Sequence, residues 1–329
     1  MFVDNPFILA ILVSGIIAAV LMLALWLGLD RAVARRLVLG AIIPAVAVAV
    51  PAAIGLPETA RGGIGAALLM LVLGGVCGAI LDFAKLSERI SLIVAVLLVV
   101  LGAWLVLAAP VSGLSYHPFA VKMLAWLAFL IVGATFLWVT RPDFSEDEDP
   151  SATSGKGKKT KASRATKAKT AKSASTDGPL DLAIIAKPGP VAVLMTLALG
   201  QGIIADQFGL RDHVVFQAAL WIALVVALVS EKAAPQYRVA VWLGVVSALM
   251  ASAAAVMISM PASCVSFAVL LLVVSAGRAG PRLAAHIPAG NPAQAVILGS
   301  VIRFGVLALP LIMAALVAYV GAQMAGTIS

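Results

Sequence analysis

The chain has 329 residues, of which 62% are hydrophobic and only 12% charged. Soluble domains carry about a quarter charged residues, so this composition excludes one and predicts an all-α, polytopic helical membrane protein. The formal charge of +8 does not indicate a nucleic-acid-binding fold. Most of it comes from one stretch, 151–180, with eight basic residues against the single acid Asp177.

Ten apolar segments follow one another along the chain. Five precede the basic stretch, at 6–29, 37–54, 64–81, 90–109 and 119–139, and five follow it, at 191–205, 214–229, 239–260, 262–276 and 293–324. Most approach the ~20 residues that a helix needs to cross ~30 Å of hydrocarbon. The sixth and ninth are short and read as tilted, re-entrant or extended by their flanks. The expected organisation is therefore a first transmembrane half over 1–140, a loop over 141–190 and a second half over 191–329.

The first segment is preceded by Asp4 without any Lys or Arg and is followed by Arg31, Arg35 and Arg36. A secretory signal has the opposite polarity, so this reads as a retained span with its N-terminus outside. Alternation then puts nine Lys/Arg in the inner connections, leaving aside the central loop. Only Arg61, Lys122 and Arg211 fall outside. That bias predicts a cell-membrane protein of bacterial inner-membrane type, with both termini outside and the central loop cytoplasmic.

The loop opens with Asp143 and the acidic run Glu146–Asp149, then turns to Lys, Ala, Ser and Thr. Such a composition cannot bury enough apolar surface to offset its ordering entropy, so a disordered tether is expected. Lys156, Lys158, Lys159, Lys161, Arg164, Lys167, Lys169 and Lys172 would also attract anionic lipid, each contributing ~1 kcal/mol near the leaflet. Gly155-Lys156-Gly157 lacks the remaining residues of a phosphate loop. Five spans on each side give the halves opposite orientations, as in the inverted repeats of many secondary carriers, although the halves show no clear self-similarity.

Ionisable groups in hydrocarbon are costly and mark candidate sites. Asp82, Lys85, Glu88 and Arg89 cluster in the turn between the third and fourth segments, where the three-residue spacing suits an ion-pair network or a polar cytoplasmic mouth. Arg303 lies about ten residues into the last segment, placed to snorkel or to line an anion path. In Gly200-Gln201-Gly202 an amide stands between two glycines. This reads either as an interrupted helix at a midplane site or as the exit into a loop holding Asp206, Arg211, Asp212 and His213.

His117, His213 and His286 fall in connections, and no His, Asp or Glu set has metal-ligand spacing. Cys77 and Cys264 lie in separate apolar blocks and read as packing residues. Gly74 with Gly78, and the small residues of 251–255, have helix-packing spacing.

Residues 78–89, Gly-Ala-Ile-Leu-Asp-Phe-Ala-Lys-Leu-Ser-Glu-Arg, resemble the third-to-fourth-span turn of the polyprenyl-phosphate sugar-1-phosphate transferases, which carry an Asp-Asp pair and Leu-Ser-x-Arg there. His286, Gly290 and Ala293-Gln294-Ala295-Val296 are similar to that family's inner histidine loop. The resemblance covers about a tenth of the chain. It implies ten or eleven spans, an inward catalytic face and a role for magnesium. The departures are Phe83 in place of the second acid, Thr135 to Asp143 in place of the Asn-rich Asp-Gly segment, and Arg61-Gly62-Gly63 on the wrong side and too close to Asp82.

Without a catalytic constellation, the chain reads as a non-enzyme without a cofactor: a transporter-like permease or an accessory subunit of an envelope assembly. The alternative is a divergent, inactive transferase handling a lipid-linked sugar phosphate, with magnesium relevant only there.

Overall fold

The computed structural model describes residues 5–59, 61, 63–84, 87–107, 119–142, 182–230, 237–287 and 292–326, and these form helices with no strand among them. In chain order they are α1 (Pro6–Gly28), α2 (Arg31–Leu37), α3 (Ile42–Ile54), α4 (Gly63–Ala84), α5 (Glu88–Leu107), α6 (Phe119–Thr140), α7 (Leu182–Ile185), α8 (Pro190–Gln207), α9 (Arg211–Ser230), α10 (Val239–Ser259), α11 (Cys264–Leu270), α12 (Ala276–Ala284) and α13 (Pro292–Met324). Each of the ten apolar segments coincides with helix over its described residues. Among the described residues eight stretches are long and apolar enough to cross a membrane, and Val38–Ile54 and Ala125–Thr140 are shorter apolar helices. The protein is a helical membrane protein.

The two short segments are lengthened by their flanks. The sixth is preceded by α7, set off by Pro188 and Gly189, and the combined stretch Leu182–Gln207 has 26 residues. The ninth runs Pro261–Ala284 as alternating 3₁₀ and α turns. The central connection, including Lys156 to Lys172, lies outside the described residues.

α10 is the most enclosed span, and the most extensive helix contact in the protein is between α4 and α10, one from each half. Glycine makes it possible. A Cβ at Gly74 would meet the backbone of Leu243, one at Gly78 would strike Ala240 Cα, and Gly244 sits against Gly75. With no hydrophobic drive between helices in lipid, close backbone approach and dispersion supply the association. Trp242, fully buried on α10, donates its Nε1–H to Leu137 O at 3.1 Å.

α1 uses the same device with Ala10, Ser14, Ala18 and Met22 buried at intervals of four. Ser14 Oγ donates to Ala219 O of α9 at 2.8 Å, and Gly15 faces Ile222. α13 buries Ala314, Ala318 and Ala322 at the same spacing, with Leu307 and Leu311 packed against the core, and leaves Phe304, Leu309, Ile312 and Leu316 among its exposed apolar residues.

The helix ends sort into two sides. Arg61, before α4, stacks on Trp104 near the end of α5, while Glu88 at the start of α5 pairs with Arg141 after α6 at 2.7 Å. On the second of these sides α7, α12 and the start of α13 share a small separate core of Leu182, Ala186, Ala284 and Ala295. α13, with 33 residues, is about 50 Å long, well beyond the ~30 Å of hydrocarbon. Its first turns carry part of that small core.

Candidate functional site

α8 and α9 form a tight antiparallel hairpin. Gly209 makes the turn at φ 70°, a left-handed conformation that glycine adopts without steric cost. The hairpin register decides which side chains meet. Gln201 and Gln217 each lie six residues from the helix end nearest the turn, at the same depth of about 9 Å. Ser252, seven residues before the end of α10, reaches that depth from the third side.

These residues form one connected chain in an apolar bundle. Gln217 Nε2 donates to Gln201 Oε1 at 2.8 Å and to Ser252 Oγ at 3.0 Å. Ser252 Oγ lies 3.0 Å from His213 Nδ1. All four are buried, Gln217 and Ser252 to 1% exposure. Buried polar groups are retained only where their hydrogen bonds are met, and this chain meets most of them.

A cavity lies on each side of the chain. The first, of about 1090 Å³ between α1, α8 and α9, has Asn5, Asp206, Gln207 and Arg211 among its lining, together with Gln217. The second, of about 600 Å³ between α6, α8, α10 and α11, is lined almost wholly by apolar groups such as Phe129, Met250 and Phe267, with Gln201 and Cys264. The Gln217–Gln201 hydrogen bond thus joins a residue of one cavity wall to a residue of the other.

Three sequence expectations are corrected here. The helix is not interrupted at Gly200-Gln201-Gly202 and does not leave the bundle there; it continues to Gln207. The two glycines serve packing, Gly200 against Leu270 and Gly202 against Gln217 Cβ. His213 is not in a connection but in the first turn of α9, buried and bonded to Ser252. Cys264 is not a packing residue; it is exposed and lines the second cavity.

Asp82 joins α4 to the start of α10. It is 9% exposed at the end of α4, and its two carboxylate oxygens accept from the first backbone N–H groups of α10, Val239 N at 3.3 Å and Ala240 N at 2.9 Å. A carboxylate there satisfies donors that the helix cannot pair itself and complements its dipole. Both oxygens are thus engaged at the start of α10, and Phe83 beside it is 80% exposed.

Glu88 bonds to Arg141, Arg89 is exposed, and Lys85, which the expected ion pairs share, lies outside the described residues. His286 is exposed, with Nδ1 2.8 Å from Arg282 O in its own segment. Arg303 is half-buried within α13. His117 also lies outside the described residues. Among the described residues no group of three His, Cys, Asp or Glu is placed to hold a metal ion.

Gln217, Ser252 and His213 were not singled out as site residues from sequence. The signal that identifies the amides is symmetry about the turn, since Gln201 and Gln217 are equidistant from Gly209. Comparison of the chain with family models, curated proteins and solved structures finds no match.

Proposed function

We propose that the protein is a permease-like membrane carrier whose solute site is the Gln201–Gln217–Ser252–His213 chain. The observation that carries this reading is the Gln217–Gln201 bond, a buried amide pair with a cavity on each side. Fixed polar groups that converge on a cavity inside an apolar bundle are the usual makings of a solute site. Amides and hydroxyls suit a neutral or weakly polar solute, since they hold it without a permanent charge in the layer.

The excess of Lys and Arg at the ends of the bundle that include Glu88 and Arg141 supports an orientation with that side cytoplasmic. On that orientation the hairpin turn at Gly209 and the mouth of the first cavity face outward, in a membrane of bacterial inner-membrane type. The lysine-rich connection then lies against the cytoplasmic leaflet, where anionic lipid attracts it.

Uptake into proteoliposomes tests the reading. A panel of radiolabelled neutral solutes is offered to the protein and to the double variant Gln201→Leu/Gln217→Leu, which preserves side-chain size and removes the amides. Entry of at least one solute that the double variant abolishes is expected. Entry no faster than in protein-free liposomes for the whole panel would remove the basis for a carrier.

A further inference from the structure

α12 has two unlike faces. Ala276, Gly280 and Ala284 are buried at intervals of four, and Gly280 lies so close to Ala186 that an added Cβ would strike the Ala186 carbonyl oxygen. At about 100° per residue, the positions half-way round the helix from that row are those of Arg278 and Arg282, and both are exposed. Four apart, they share one stripe, with Cβ atoms about 6 Å from each other. The residues between and beside them, Gly277, Ala279 and Ala285, are small, and a Cβ at Gly277 would meet nothing within 4 Å. Lys187, directly after Ala186, is a third exposed cation at this end of the bundle.

Arg141, on the same side, is paired with Glu88. Among the described residues Arg278 and Arg282 have no carboxylate partner, and the surrounding elements supply none. α7, α12 and α13 contain no acid, and no Asp or Glu follows Glu231 in the chain. Exposed Leu283 stands next to Arg282, and exposed Ile184 lies on α7. The membrane-crossing stretch Pro261–Ala284 has 24 residues. At 1.5 Å per residue, Arg278 and Arg282 stand roughly 26 and 32 Å along it from Pro261, either side of the ~30 Å that hydrocarbon occupies.

We propose that Arg278 and Arg282 form a headgroup site for an anionic phospholipid. The phosphodiester oxygens accept from the two guanidinium groups, whose planar forks suit phosphate geometry. Lys187 adds attraction, and the acyl chains run beside Leu283 and Ile184. The lack of acids selects the lipid: a choline or ethanolamine head would bring a further cation with no carboxylate to meet it. This site lies at the end of the bundle away from Gly209 and does not depend on the carrier reading.

The test is native mass spectrometry of the full chain in detergent micelles titrated with dioleoylphosphatidylglycerol or dioleoylphosphatidylcholine. The variants are Arg278→Gln/Arg282→Gln, a chain with the eight basic residues of 156–172 replaced by Gln, and Arg61→Gln at the opposite side. Phosphatidylglycerol is expected to bind the native chain about tenfold more tightly than phosphatidylcholine. The double arginine variant should lose that preference, and the other two should keep it. Arg282→Gln alone, weakened severalfold, decides the matter if the double variant fails to fold.

Equal affinity for the two lipids in the native chain, or an unchanged preference without the arginines, overturns the proposal. Loss of the preference in the 156–172 variant overturns it in favour of the lysine-rich connection as the lipid contact. A preference that appears only once Asp143 and Glu146 to Asp149 are replaced by amides overturns it in favour of that acidic run as the occupant of the stripe. Displacement of the lipid by inorganic phosphate in the millimolar range overturns it in favour of a soluble anion.

Discussion

Gln201 and Gln217 stand eight residues to either side of Gly209 and are joined by a 2.8 Å hydrogen bond. In an antiparallel helical hairpin, residues equidistant from the turn reach the same depth, so the pairing follows from chain geometry once the turn is set. The bond stands between a partly polar cavity and an apolar one, and its removal has both a structural and a functional signature.

Replacing Gln217 by Leu leaves Gln201 Oε1 without its donor inside the bundle. A loss of about 1 kcal/mol in folding stability is expected, in line with interhelical hydrogen bonds in membranes. Gln201→Leu should cost a similar amount, and the double variant less than the two together, because the second substitution removes the orphan that the first creates. Unfolding by sodium dodecyl sulfate titration in mixed micelles measures all three.

The hydrogen-bond chain makes a prediction about the tautomer of His213. Ser252 Oγ receives a hydrogen from Gln217 and lies 3.0 Å from His213 Nδ1; we expect its one proton to go to that nitrogen. Neutral His213 then carries its proton on Nε2. Nitrogen-15 chemical shifts of labelled histidine should show that tautomer in the native protein. Ser252→Ala should release the preference, and a dominant Nδ1–H form in the native protein would reverse the assigned direction of the chain.

Gly78→Ala should be among the most damaging single-methyl changes in the protein. The added carbon collides with Ala240 Cα, which is backbone and unable to rotate away. A cost of ~1–3 kcal/mol is expected. Gly305→Ala on α13, where the added carbon meets nothing within 4 Å, should leave thermal stability unchanged. Thermal unfolding in detergent compares the pair.

Asp82→Ala should act on stability. Loss of a carboxylate cap costs about 1–2 kcal/mol, read as a lower unfolding midpoint. Magnesium should not raise the unfolding midpoint of the native protein, whereas a metal-binding acid would produce such a shift with concentration.

The helices were legible because each apolar block has nearly the length that the bilayer demands, and the Gly74–Gly78 spacing already marked a close helix crossing. The site was less legible. His213 follows Arg211 and Asp212, and local polarity placed all three in a loop, yet burial against Ser252 draws the imidazole into the bundle. Ser252 sits among small residues that read only as packing. Asp82 had the composition of a reactive acid, and only the antiparallel register of α4 against α10 shows it seated on two backbone amides. Such properties come from pairing between distant helices, which periodicity within one helix does not encode.

The α4–α10 crossing also orders assembly in time. When α4 leaves the ribosome its partner is still more than 150 residues from synthesis, and its glycine ridge must meanwhile be covered by lipid or by the insertion machinery. Each half therefore completes the other after insertion. Two polypeptides separated within 143–181 and made together should find each other in the bilayer, while the first made alone should be cleared by quality-control proteolysis.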